Sequence, residues 1–378
     1  MNDTPYYQGR GTRDPRRAAA LPPVDTERLR SPDDYRATPG LVAALDVALT
    51  LGMPLLLTGE PGSGKSGLAD SLAWELGLDP VLRFAVKSDT ESRDLFYRFD
   101  TVGRFHAAQT SKNDADSDPA RFITFEALGL AILRALPVRV ARDLGLSEQA
   151  LTHPGKPRRS VVLIDEIDKA PRDVPNDILV EIETMSFTIP ELCGADRSRV
   201  EVGLGKDDQG CRPIVVFTSN SEKALPDPFL RRCVYYHLAF PLFDKELAAA
   251  AKVLPADLPE DRVTVDSIVA ARLGDRWKGA SEPFGPVALA LDFFHFLRAE
   301  GNGLERRPTL AEALAWLDYL MPDGVAPADW GALAALSAPA APGPEARLIA
   351  AIATLLLKKP LDQARAGPLL ATWRGARS

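Results

Sequence analysis

The sequence predicts an α/β protein: a five-stranded parallel sheet, covered by helices on both faces, followed by a smaller helical region. Three observations carry that prediction. Five short apolar runs, at Leu55–Thr58, Val81–Val86, Val161–Ile164, Ile214–Thr218 and Val234–Leu238, have helical segments between most of them. The first run ends in a glycine-rich loop that opens directly into a helix. After Phe240 the strand pattern stops and helical periodicity takes over.

Taken in order, residues 1–37 are rich in Pro, Arg and Asp without apolar periodicity and read as an N-terminal arm. The stripe Leu41, Ala44, Leu45, Val47 and Ala48 predicts a helix before the first strand. Residues 38–240 form the sheet core with two inserts. In the first, Leu95–Phe99 would return as Arg104–His106 over a Gly-containing turn, ahead of an amphipathic helix over Phe125–Leu136. In the second, Phe187–Pro190 would return at Ile214. Residues 241–325 form a small helical domain, with Thr309-Leu310-Ala311-Glu312 as a capping box. Residues 326–378 are an Ala/Pro-rich helical tail with an apolar helix at Arg347–Leu357.

Composition narrows the function classes. The 378 residues carry 45 Lys+Arg against 52 Asp+Glu, a net charge of −7, with 46% hydrophobic residues. That length allows about two or three domains. The acidic balance gives no electrostatic footprint for duplex nucleic acid or an anionic membrane, so neither is expected as a partner. Cys193, Cys211 and Cys233 form no C-x-x-C pair, and His106, His153, His237 and His295 show no metal-ligand spacing. Met1–Arg17 has no apolar core after its arginines, and the longest apolar run, Leu348–Leu357, is too short to span a bilayer. A cytoplasmic location is the expectation.

The chemistry lies at the ends of the apolar runs. Gly59-Glu60-Pro61-Gly62-Ser63-Gly64-Lys65-Ser66 is G-x-x-x-x-G-K-[ST] between a strand and a helix. Such a loop points successive backbone N–H groups at phosphates, with Lys65 reaching the β- and γ-phosphates and Ser66 holding Mg²⁺. Val161–Ile164 ends in Asp165-Glu166. Two acids after a buried strand fit a site where Asp165 anchors the metal and Glu166 polarises an attacking water. Val215–Ser219 ends in Asn220, placed to orient that water. Arg231-Arg232 precedes the last strand, too far along the sheet for its own P-loop and suited to a neighbouring subunit's γ-phosphate.

These residues resemble the AAA+ ATPases, and among them the MoxR-like group. The resemblance covers about residues 35–320 and rests on Gly59–Ser66, Leu163–Ala170, Thr218-Ser219-Asn220 and Leu225–Cys233. It implies a three-layer core with strand order 5-1-4-3-2, a helical lid, ATP and Mg²⁺ as ligands, and assembly into a homo-oligomeric ring, usually of six. It implies that Asn220 is the sensor 1 residue and Arg232 the arginine finger, with Arg231 as the second choice. Arg306 and Arg307, just ahead of the helix capped by Thr309, are candidates for the lid's nucleotide-sensing arginine. Phe96 and Tyr97 have two readings: projecting toward a central pore, or packing the insert onto its own domain. MoxR-like proteins generally remodel partner proteins, often with a von Willebrand factor A domain protein. Two alternatives stand beside an ATP-hydrolysing remodelling chaperone: a DNA-directed loader of the same class, and an ATP-gated signalling switch.

Overall fold

The structure is a computed structural model describing residues 21, 29–110, 118–143, 154–193, 199–250, 263–274, 276, 285–321, 330–337 and 342–377. Most of the predicted N-terminal arm, part of the polar stretch after Thr110, His153 and residues 326–329 lie outside the described residues. The chain divides into two compact units. Residues 37–240 form one, and the described residues of 241–378 form the other together with 29–36.

Nine strands occur among the described residues of the first unit: β1 (Leu55–Gly59), β2 (Leu82–Ala85), β3 (Tyr97–Phe99), β4 (Ile123–Phe125), β5 (Val161–Asp165), β6 (Ser186–Cys193), β7 (Arg199–Gly203), β8 (Ile214–Ser219) and β9 (Val234–Leu238). Five make one sheet in the order β2-β5-β8-β1-β9, and each pairing is parallel. Counted along the chain as core strands one to five, that order is 5-1-4-3-2. The other four strands form two separate antiparallel ribbons, β3–β4 and β6–β7. Leu55–Leu57 and Val161–Ile164 are buried throughout, which is why these strands read as continuous apolar runs rather than alternating ones.

Helix α1 (Pro39–Leu51) starts where Thr38 Oγ1 accepts from Leu41 N and Pro39 sets φ, and it stops at Gly52 in the left-handed region. Helix α2 (Lys65–Glu75) follows the glycine loop without an intervening residue. Helix α3 (Thr101–Thr110) lies between β3 and β4, and helix α4 (Ala127–Ala135) buries Leu128, Ile132 and Leu133.

Both predicted hairpins are corrected. Leu95–Phe99 does not return at Arg104–His106: those residues belong to α3, and the partner of β3 is β4, with Tyr97 opposite Phe125. The Asp100–Gly103 signal is a helix start, since Asp100 Oδ1 accepts from Gly103 N at 2.8 Å. Phe187–Pro190 returns through Arg199–Gly203, while Ile214 opens core strand β8. Phe96 and Tyr97 are buried against Phe187, with ring centroids 5.3 and 6.2 Å away, and Tyr97 Oη donates to Glu191. Of their two readings, the structure selects packing within the domain.

In the second unit, helices α5 (Val265–Leu273), α6 (Pro286–Arg298), α7 (Leu310–Leu320), α8 (Pro342–Ala351) and α9 (Ala366–Gly375) surround an aromatic core. Phe293 lies 6.1 Å from Trp316 and 5.3 Å from Trp373, whose Nε1 donates to Asp292. The capping box is present: Thr309 N donates to Glu312 Oε2 at 2.7 Å and Glu312 N to Thr309 Oγ1 at 3.3 Å. The apolar helix near the C-terminal end continues from α8 through a π-type turn, Ile352–Leu356, that buries Ile352 and Leu356. Among the described residues, no helix is long and apolar enough to cross a membrane.

Gly129 packs α4 against the residue that precedes β3: a Cβ there would sit 2.1 Å from the Phe96 carbonyl oxygen. Gly129→Ala is therefore expected to lower the urea midpoint by an amount worth about 1–3 kcal/mol, the usual cost of overpacking.

Candidate functional site

The glycine loop from Gly59 to Ser66 leaves the C-terminal end of β1. Gly59, Gly62 and Gly64 have φ of 151°, 72° and 90°, and a Cβ on Gly59 would lie 2.5 Å from Leu238 O. Glycine alone meets both demands. Lys65 is buried, and its Nζ donates to the carbonyls of Gly59 at 2.8 Å and Glu60 at 2.9 Å. Burial pulls its pKa below the ordinary lysine value, and the charges of Asp165, Asp168, Glu166 and Glu60 oppose that shift. An ammonium has three N–H donors, so one remains for an anion.

The strands place the remaining groups along the same edge. Ser66 Oγ donates to Asp165 Oδ1 at 2.9 Å. Asn220 Nδ2 donates to Glu166 Oε1 at 3.0 Å, and Lys169 Nζ pairs with Glu166 Oε2. That pairing is the main reason the Lys169 pKa is raised. Glu166 itself has φ 60° and ψ 50°, the left-handed region. Three residues were missed in the sequence. Thr218, from β8, accepts from Glu166 N and donates to Asp165 Oδ1. Lys169 pairs with Glu166. Asp168 is buried, with Oδ2 accepting from Glu222 N. Thr218 and Lys169 both stood inside quoted motifs, but only the fold shows which atoms they touch.

These residues fit a nucleoside triphosphate with a divalent cation. The Ser63 hydroxyl is shut from solvent without a hydrogen-bond partner among the described residues, an orphan inside the loop that would wrap phosphates. Ser66 and Asp165 offer adjacent hard oxygen donors, the type Mg²⁺ takes one or two at a time alongside phosphate oxygens. Among the described residues, no group of three or more His, Cys, Asp or Glu side chains is arranged to hold a metal without such a ligand.

Arg231 and Arg232 are elsewhere. They follow the short helix Asp227–Leu230 and precede β9, which starts beside Leu55 and ends beside Gly59. Four steps at about 3.3 Å separate that start from the glycine loop by about 13 Å, before the side chains are counted. Arg232 Nε donates to Glu183 Oε1 at 2.6 Å, and Arg231 is exposed. Both line a cavity of about 290 Å³ with Leu51, Ile182, Phe229 and Cys233. In the helical unit, Arg306 pairs with Glu312 at 2.9 Å and Arg307 with Glu300 at 3.3 Å, while the buried Asp362 accepts from the backbone of Glu305 and Arg306. His237 lies 3.0 Å from Thr58 Oγ1 and His295 pairs with Glu246, so neither joins the loop residues.

A glycine loop, two acids and an asparagine at one edge of a parallel sheet define a P-loop nucleotide-binding domain. Residues 54–233 match the family model of the AAA domain, dynein-related subfamily. Over these residues the chain carries an AAA domain. No curated protein matches it. A solved structure from Cytophaga hutchinsonii, described as a "putative ATPase", is 13% identical over 92% of both chains with a TM-score of 0.32.

Burial pushes the Cys233 thiol up to about 12. In a Cys193→Ser/Cys211→Ser variant, the remaining thiol should stay silent toward a disulfide reagent in the folded protein at pH 8 and react once unfolded in guanidinium, as read by absorbance.

Proposed function

We propose that the chain is an ATP-hydrolysing, MoxR-like AAA+ protein that remodels a partner protein as a ring of like subunits. The observation that supports the hydrolysis reading best is the contact of Asn220 with Glu166 beside the Ser66–Asp165 pair: a water-polarising acid, its orienting amide and a metal-side acid at one strand edge. A nucleotide-gated switch that never hydrolyses has no use for Glu166.

In this reading the glycine loop and Lys65 hold the β- and γ-phosphates, and Lys65 exchanges its loop carbonyls for phosphate oxygens. Mg²⁺, when bound with ATP, neutralises charge on the phosphates as the leaving group departs. Glu166 accepts a hydrogen bond from the attacking water, and Asn220 keeps that carboxylate oriented. Water adds to the γ-phosphorus as the bond to the bridging oxygen breaks, giving ADP and phosphate. Arg232 serves the γ-phosphate of a neighbouring subunit, which requires it to leave Glu183. A von Willebrand factor A domain partner and a protein client belong to the same proposal. The net charge of −7 speaks against a DNA-directed loader, whose turnover would rise with DNA and fall steeply with salt.

Lys65→Ala is expected to abolish ATP binding. Glu166→Gln should bind ATP while its turnover falls about 10²-fold or more, in phosphate-release assays. Arg232→Ala should keep ATP binding and lose about 10³-fold in turnover, and unchanged turnover removes the trans-arginine assignment. The solution mass of Glu166→Gln with and without Mg²⁺-ATP tests the ring: a multimer appearing with nucleotide supports it, and a persistent monomer counts against it.

A further inference from the structure

Among the described residues, Thr218 is the one whose side chain is seen hydrogen-bonded to both acids of the site. It lies on β8, next to the end of β5, where the parallel register sets Ile164 beside Phe217. The next pair outward brings Thr218 alongside Asp165. The Thr218 side chain is fully buried. Its hydroxyl donates to Asp165 Oδ1 at 2.5 Å and accepts from the backbone N–H of Glu166 at 2.9 Å. The same carboxylate oxygen accepts from Ser66 Oγ at 2.9 Å. One hydroxyl therefore ties the metal-side acid to the backbone of the water-side acid.

The second bond matters because of the conformation it holds. Glu166 has φ 60° and ψ 50°, a region a side chain with a Cβ adopts only where its surroundings fix it. Release of that amide would let the backbone relax and swing the carboxylate away from Asn220. The neighbours of Thr218 cannot substitute for it: the Ser219 hydroxyl is engaged by Ser221 N, and Asn220 contacts the Glu166 side chain rather than its backbone.

We propose that Thr218 is a positioning residue for ATP hydrolysis, its hydroxyl holding Asp165 and Glu166 in the relative placement that turnover needs. This rests on the reading of the site as an ATPase. Valine matches threonine in shape but lacks the hydroxyl, whereas serine keeps the hydroxyl and loses a methyl group, so the pair separates hydrogen bonding from packing.

The experiment compares the full-length wild type, Thr218→Val and Thr218→Ser in two assays. Steady-state turnover is expected to show kcat lowered about tenfold or more in Thr218→Val with KM within about twofold, and recovery in Thr218→Ser. Amide hydrogen exchange, measured without nucleotide or metal, is expected to show faster exchange at Glu166 in Thr218→Val and wild-type protection in Thr218→Ser. Wild-type kcat and protection in Thr218→Val overturn the proposal, as does equal impairment of both variants, which would assign the residue to packing. If Thr218→Val does not fold, Thr218→Cys, a weak donor and acceptor of similar size, replaces it with the same two outcomes. If the wild type hydrolyses no ATP, the ATPase reading fails and takes the proposal with it. If only Glu166→Gln turns over at the wild-type rate, the role of Glu166 fails, and the exchange data still decide whether Thr218 holds its backbone.

Discussion

The ammonium of Lys65 is the constraint on which the site depends. It is buried at the C-terminal edge of the sheet, its nearest partners are backbone carbonyls, and four carboxylates, from Glu60, Asp165, Glu166 and Asp168, bear on it. Burial disfavours its charge and leaves its pKa below the ordinary lysine value, while the surrounding acids oppose that shift. With Lys169 included, Glu222 joins them, and five carboxylates bear on two ammonium groups. In the proposed reaction a divalent cation accompanies the polyphosphate to that edge, and the Ser66–Asp165 oxygens are where it would be received. The chemistry of the proposed reaction thus follows from the charge balance of the edge as much as from any single motif.

The sheet delivers these groups because its strands are parallel and nearly in register. β1 ends in the glycine loop, β5 in Asp165 and β8 in Thr218-Ser219, so loop, acids and hydroxyl reach one edge together. Core strands buried on both faces cannot slide without exposing apolar side chains, which fixes these ends against one another. The same geometry puts the residues before β9 at the far edge. Arg231 and Arg232 are there for a topological reason, which keeps them away from their own glycine loop and leaves them for a neighbour's nucleotide only in the proposed ring.

Much of this was legible in the sequence because the informative signals are local. Gly59–Ser66 fits one loop whose spacing, glycines and lysine all serve phosphate binding, and Asp165-Glu166 declares itself by ending a fully apolar strand. The five core strands were visible as apolar runs for the same reason. What was not legible depends on pairing across the chain. Asp100 and Gly103 looked like a hairpin turn, but an aspartate before a helix caps its N–H groups, and β3 found its partner beyond a whole helix. The return of the second ribbon at Arg199–Gly203 is hidden because Ile214 opens a more apolar run, which belongs to the core sheet. Thr218 carried no visible role, since a threonine ending a β-strand is ordinary and its two contacts come from the neighbouring strand. Arg232 was visible as a charge before β9, but its pairing with Glu183 was not.

The most direct test of the account is a structure of the full-length Glu166→Gln chain determined with ATP and Mg²⁺. The account predicts Lys65 Nζ on the β- and γ-phosphates instead of on the Gly59 and Glu60 carbonyls, a metal ion beside Ser66 Oγ and Asp165, and the residue-166 side chain facing the γ-phosphate. Nucleotide bound away from the glycine loop, or Lys65 still on its own loop with ATP present, would contradict it.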